Sequence, residues 1–489
     1  MTLFQINTNC INKSQKIAVI PLLWLIPVIL TITTEANGLI FITTTIAALI
    51  SIAFIVIQPS NAVVTLPFFT LLSPMTGLMN IGGMKILYSD ILFIILIIQV
   101  VFLISSSRQS WGRSLNSGHY LLIGLYIISL VIGLITGTLV SLKPMLYLLQ
   151  LMIVFFYTIK YGLSGDDWLT IMRSWLIATV FASLILLNAY SRGKSLDGLK
   201  ILEDVPLSDL TDLNKLFRAT YYYTGVHYLI GLGIVWLSIR LFFPLGRFYR
   251  VVVLFGLAVL VPALIATVNK TAMAAAIIAI FLSAALLFYK FKKEMLPRLR
   301  VLGYLGLICL GIATWQYRVL LETTQLELVL NRMSSTGSLN ARFDVYEQAI
   351  DQWVASPIRT IVGYGPDFLD SSGEPTIATV FKTSKTNGYV EGTVDSGWLS
   401  YLFELGLPAF ILILVFTWQG IMRVGRCILQ AKFFNDDLYL RSSIFAGVIF
   451  LTIAMTTQML GYTKISWLPL QVVTVALFGF RGRQLTNEE

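Results

Sequence analysis

KTAMAAAIIAIFLSAALLFYKFKK, residues 270–293, carries no charge between Lys270 and Lys290. A helix needs about 20 consecutive apolar residues to cross a bilayer, and must satisfy every backbone N–H and C=O within itself, since the hydrocarbon offers no partner. Runs of this kind recur along the whole chain. Its 489 residues are 56% hydrophobic and 12% charged, with a mean hydropathy of +0.80, far more apolar than a soluble domain. The pattern therefore reads as helices rather than strands. Spans are expected near 17–34, 38–57, 62–80, 89–106, 119–141, 144–160 and 167–189, then near 220–242, 251–268, 271–288, 301–318, 396–417, 442–460 and 465–480. The fold class is an all-α integral membrane protein of about 14 transmembrane helices, with a large, partly helical outer loop before the last three. The third span is the weakest, because Pro67, Pro74 and several glycines interrupt it. Residues 17–34 resemble a signal sequence behind Lys13 and Lys16 but lack a small-residue cleavage pattern, so they read as a retained first span.

The net charge of +10 does not indicate nucleic acid, because the basic residues are dispersed in short turns rather than gathered on one aromatic-studded face. They set orientation instead, since cationic loops are retained in the cytoplasm. Arg108 and Arg113; Arg240, Arg247 and Arg250; Lys290, Lys292, Lys293, Arg298 and Arg300; Arg423, Arg426, Lys432 and Arg441; and Arg481 and Arg483 all fall on one side of an even helix count. Both termini are then cytoplasmic. The outer side receives the polar segments 190–219 and 319–395 and the turn at Asn269-Lys270. After Arg318 the larger loop holds ten acidic residues against five basic ones. Three parts follow: 1–318, with eleven helices and the outer loop 190–219; 319–395, a periplasmic loop with an amphipathic helix; and 396–489, the last three helices and the C-terminus. Cys10, Cys309 and Cys427 are too few and too scattered for a disulfide framework or a metal cluster.

Within the larger loop, Leu339, Phe343, Tyr346, Ile350 and Trp353 recur at three- and four-residue spacing, predicting a helix over 339–355 that lies against the membrane domain or its surface and leaves Arg342 on a flank. Ser356 before Pro357 ends it. The turn Gly363-Tyr364-Gly365-Pro366 follows, then the polar stretch 371–393. Asp395 and Ser396 open the next apolar helix, where Asp395 reads either as an N-cap or as a catalytic carboxylate. Glu404 stands about two and a half turns deeper, where an ionisable group is costly and so draws suspicion, although a buried structural hydrogen bond explains it as well. Arg218 closes the earlier outer loop and opens a helix with Tyr221, Tyr222, Tyr223 and His227. It serves either as a headgroup anchor or as an anion ligand, and the lone histidine reads first as a packed residue. Lys270, with no acidic neighbour in sequence, reads either as a snorkelling lysine or as a ligand.

Arg218, Lys270 and Arg342 come from three outer segments and Asp395 from the end of the last. Three cations and a carboxylate suit phosphate chemistry: arginine and lysine bind pyrophosphate, and a carboxylate can take the proton of an attacking sugar hydroxyl. No phosphate loop, Asp-x-Asp pair or Walker-type motif occurs in the outer loops, so a nucleotide donor with its divalent metal is not indicated, and no cofactor is expected. A lipid carrier is the plausible pyrophosphate source outside the cytoplasm. Tyr223, His227, Tyr346, Ser396 and Glu404 are candidate supporting or acceptor-side residues.

These residues resemble the bacterial O-antigen ligase and polysaccharide polymerase superfamily, many-helix inner-membrane glycosyltransferases of the GT-C type with a large periplasmic loop near the C-terminal end. Family ligases carry His, then Asn, Ser or Gln, nine residues, Gly, two residues and a small residue or Tyr. Here Asp395, Ser396, nine residues, Gly406, Leu407, Pro408 and Ala409 keep the spacing but replace the histidine with Asp. Arg342, Trp353, Pro357, Gly363 and Gly365 follow another family pattern, Asn269-Lys270 stands where the family often has Ser-Arg, and Arg218 resembles its earlier loop arginine. The likeness runs from Arg218 to the C-terminus. It implies a periplasm-facing site in the bacterial inner membrane and transfer of a glycan from a polyprenyl pyrophosphate to a hydroxyl of another lipid-linked glycan, with membrane lipid, a chain-length regulator or a flippase as candidate partners. The Asp for His exchange favours a polymerase over a ligase, and the peptidoglycan polymerases of the SEDS class are similar in using an acidic outer-loop residue. A ligase acting on a lipid core or protein, a lipid-linked sugar transporter and a non-catalytic scaffold are the alternatives.

Overall fold

In the computed structural model the described residues are 13–34, 37–58, 61–72, 79–81, 84–86, 88–106, 117–135, 153–154, 165–192, 202–205, 216–219, 226–267, 269–298, 347, 350–351, 353–363, 396–456, 472–473 and 476. They form α1 (Lys13–Thr33), α2 (Asn37–Ile57), α3 (Ala62–Leu72), β1 (Met79–Ile81), β2 (Met84–Ile86), α4 (Tyr88–Ser106), α5 (Ser117–Ile135), α6 (Gly165–Arg192), β3 (Leu202–Val205), β4 (Leu216–Ala219), α7 (Val226–Leu241), α8 (Arg247–Ala266), α9 (Lys270–Lys290), α10 (Pro357–Val362), α11 (Gly397–Gln430) and α12 (Asp436–Ala454). Six of these elements contain stretches long and apolar enough to cross a membrane: Gly38–Ile57, Trp168–Tyr190, Arg247–Ala266, Lys270–Lys290, Tyr401–Gln430 and Asp436–Ala454. The chain is an α-helical integral membrane protein. The expected spans at 144–160, 301–318 and 465–480 lie largely outside the described residues.

Three expectations are corrected. The span predicted over 62–80 stops at Leu72, and β1 pairs antiparallel with β2 beyond it, Met79 opposite Ile86. The helix predicted from 220 begins at Val226, and Arg218 lies in a strand, where β4 pairs antiparallel with β3 and Arg218 stands opposite Glu203. Strands are therefore present, confined among the described residues to these two short hairpins. The span predicted over 396–417 continues as helix to Gln430, because Arg423 and Arg426 read as loop charges although the helix carries them past its apolar stretch.

α7 is the central helix, buried along nearly its whole length and packed on by α6, α8, α9 and α12. Helices in lipid gain from close packing and interhelical hydrogen bonds rather than from a hydrophobic drive, so small residues collect at their interfaces. α9 buries Ala272, Ala275, Ala276, Ala279 and Ser283 and turns Ile277, Ile278, Phe281 and Leu282 outward. The Trp236 indole N–H donates to the Ser443 carbonyl at 3.1 Å and meets Trp168 edge-on at 5.9 Å. A second cluster forms where α1 and α3 meet, with Trp24 against Phe69 and its N–H on Ser51 Oγ of α2 at 3.1 Å.

The basic turns after α7, α9 and α11 share one end of the bundle. Arg240 pairs with Asp436 at 2.6 Å and lies 4.7 Å over the Tyr439 ring. Phe434 stacks on Phe243 at 4.5 Å and lies under Arg298, whose guanidinium also donates to the Phe242 carbonyl. Burial pushes the Arg298 pKa down, opposed by the Glu294 carboxylate. Arg441 bonds Asp437 at 2.6 Å and the Cys427 carbonyl at 3.0 Å.

Candidate functional site

At the opposite end four helix termini converge. The start of α7 reaches the end of α12 through Tyr228 Oη, which donates to the Ala454 carbonyl at 3.3 Å. The start of α11 reaches the same terminus through the Gly397 N–H on the Met455 carbonyl and the Trp398 indole N–H on the Thr452 carbonyl, both at 2.9 Å. A Cβ built on Gly231 would lie 3.5 Å from the Ala272 carbonyl, which brings the first turn of α9 beside the second turn of α7. His227, Lys270 and Ser396 thus stand on neighbouring termini.

Each has a local reason for its place. Asn269 caps α9 by accepting the Ala272 N–H at 2.8 Å, which makes Lys270 the first helical residue. A cation there adds to the positive end of the helix dipole, and the two together favour an anion. Lys270 is half-buried. Ser396, not Asp395, is the N-cap of α11, its hydroxyl accepting the Leu399 N–H at 3.4 Å. Asp395 itself lies outside the described residues. His227 is buried with its ring 4.4 Å from that of Tyr228, in keeping with a packed histidine. Glu404 is 1% exposed, and a carboxyl so deeply buried must be bonded or neutral.

Glu404 adjoins a feature that sequence reasoning missed. Gly406 interrupts α11 at φ 79° and ψ 170°, and Gly363, which ends α10, has φ 77° and ψ −177°. This region of backbone space is essentially reserved for glycine. The two segments cross with their backbones touching. A Cβ on Gly363 would fall 2.2 Å from the Glu404 carbonyl oxygen, and one on Gly406 would fall 2.2 Å from that of Ile361. The crossing ties the loop before α11 to the helix carrying Ser396 and Glu404. Trp353 reinforces it, buried against Phe403 at 6.1 Å, its indole N–H without an acceptor among the described residues. The available sequence signal was that Gly363 belongs to a Gly-Tyr-Gly turn and Gly406 to a spaced motif, but nothing linked the two.

Part of the amphipathic helix predicted over 339–355 is visible: Glu347, Ile350, Asp351, Trp353 and Val354 are helical, and Ser356 ends that stretch as foreseen. A second short helix, α10, intervenes before Gly363, with Pro357 in its first turn. Arg342, Tyr346, Tyr223 and Asp395 lie outside the described residues, and of Arg218 only the backbone placement is described.

Fold and site thus define an integral membrane protein that gathers buried polar groups at the end of its bundle away from its arginine-rich turns. Residues 255–414 match the O-antigen ligase family, and the match supports the O-antigen ligase and polymerase-like superfamily. It spans α8 from residue 255 on, α9, the loop with α10, and the first half of α11, and so contains Lys270, Arg342, Asp395, Ser396, Glu404 and both crossing glycines. Arg218, Tyr223 and His227 precede it. No curated protein matches the chain.

Proposed function

We infer that the protein joins lipid-linked glycans, moving a glycan from a polyprenyl pyrophosphate to the hydroxyl of a second lipid-linked glycan on the outer face of the bacterial inner membrane. The observation that carries this reading is the family match over the segment holding Lys270, Arg342 and Asp395, and the O-antigen ligase family implies a glycosyltransferase acting on lipid-linked glycans. In the reaction the acceptor oxygen attacks the anomeric carbon, the bond from that carbon to the pyrophosphate oxygen breaks, and the hydroxyl proton passes to the Asp395 carboxylate. Arg218, Lys270 and Arg342 stabilise the charge that develops on the departing pyrophosphate, an interaction stronger in the transition state than in the ground state. Tyr223, His227, Tyr346, Ser396 and Glu404 line or support the acceptor side.

The aspartate in place of the histidine favours a polymerase, since the ligase motif is the one that carries the histidine, and a carboxylate still serves as the base. The family description favours the second reading, a ligase that delivers finished glycan to a lipid core or protein. The acceptor distinguishes them. Purified protein supplied with lipid-linked oligosaccharide alone yields longer chains if it polymerises and none if it ligates. Asp395→Asn and Arg342→Ala should each lower turnover by on the order of 100-fold or more with folding intact. Full activity in both variants would overturn the site assignment, and carrier movement without bond formation would reassign the protein as a transporter.

A further inference from the structure

The described side chains between Glu347 and Val362 divide in three. Trp353 is buried against Phe403. Glu347 and Asp351 carry exposed charge. Ile350 and Val354 before the break at Ser356, and Ile358 and Ile361 on α10, are exposed apolar residues, Val354 at 58%, Ile358 at 75% and Ile361 at 59%. An exposed aliphatic stripe is ordinary on a membrane span and costly in water.

Its depth follows from the glycine crossing. Below Gly406, α11 carries no charge from Leu407 to Met422, a rise of roughly 24 Å against the roughly 30 Å of bilayer hydrocarbon. Gly406 therefore sits just inside the edge of the apolar layer, and the crossing fixes Ile361 and Gly363 at the same height. α11, which the crossing places beside α10, is likewise exposed at Leu407, Ile411, Leu414, Val415 and Trp418. Half-buried Arg359 stands between Ile358 and Ile361, its guanidinium donating to the Gly363 carbonyl at 3.5 Å, so that its charge is held at the crossing while its stem covers apolar surface.

We propose that Val354, Ile358 and Ile361 are inserted into the bilayer leaflet opposite the arginine-rich turns, so that the loop segment before α11 is a lipid-seated element locked to that helix at Gly363 and Gly406. The seat does not depend on glycosyl transfer. It gives the loop a fixed height relative to the membrane surface where a lipid-borne headgroup lies.

Nitroxide labels at Ile358→Cys, Ile361→Cys, Ile411→Cys and Asp351→Cys, in full-length protein with its three native cysteines replaced by serine and held in phosphatidylglycerol/phosphatidylethanolamine nanodiscs, test this. The ratio of oxygen to nickel-chelate collision should be several-fold higher at 358 and 361 than at 351 and should approach that at 411. Nickel accessibility at 358 and 361 equal to that at 351 would overturn the proposal. So would dipolar broadening at these labels, showing a second copy on the stripe, or exclusion of both reagents, showing protein cover. The readout is depth and needs no turnover, so a failed seat and a failed transferase assignment are told apart.

Discussion

The two ends of the bundle handle polarity in opposite ways. At the end of the basic turns, charge is consumed in contacts between side chains near the surface: Arg240 on Asp436, Arg441 on Asp437, Arg298 over Phe434. At the other end the contacts run through backbone and helix termini, and polar groups such as His227, Ser396 and Glu404 are almost wholly buried. Charge that merely orients a helix can remain exposed and cheap. Polar groups held in the interior of a membrane protein cost free energy and persist where they are bonded or used. The difference separates a closure that tolerates change from one that does not.

Substitutions should expose that asymmetry. Gly406→Ala or Gly363→Ala drives a methyl into the opposing carbonyl and forces a non-glycine residue into a glycine-only conformation. Each should destabilise the protein by on the order of 3 kcal/mol or more, read as an early thermal unfolding transition in detergent. Unchanged melting in both variants would mean that the crossing is not a lock. By contrast, Arg240→Ala and Asp436→Ala remove a pair whose carboxylate is 74% exposed. They should shift stability by no more than about 1 kcal/mol, and a double-mutant cycle should give a coupling of the same small size. A coupling several times larger would place that end among the built sites as well.

Much of the fold was legible because hydrocarbon imposes a simple rule on length and polarity. α2, read at 38–57, runs over Asn37–Ile57, and α9, read at 271–288, runs over Lys270–Lys290. Failures came where that rule stops applying. The proline-broken stretch after Leu72 gives way to a hairpin, and Arg218 lies in a strand rather than opening a helix, because outside the bilayer local pairing competes with helix. The extension of α11 to Gln430 was hidden because charge marks the end of the apolar layer, not the end of the helix. In the site, suspicion of Glu404 came from the cost of its burial. The meaning of Gly406 was not legible, because its conformation is explained by contact with a turn far earlier in the chain. Ser396 is the N-cap of α11, one of the two roles that the sequence allows its neighbour Asp395, and only backbone geometry reveals it.

The proposed chemistry requires the polar end of the bundle to face away from the cytoplasm. Single cysteines in place of Lys270, Asp395 and Lys292, probed on intact spheroplasts with a membrane-impermeant maleimide, test it most directly. With the polar end outside the cytoplasm, modification occurs at 270 and 395 before permeabilisation and at 292 only afterwards. Modification at 292 first, with 270 and 395 protected until the membrane is opened, would contradict it.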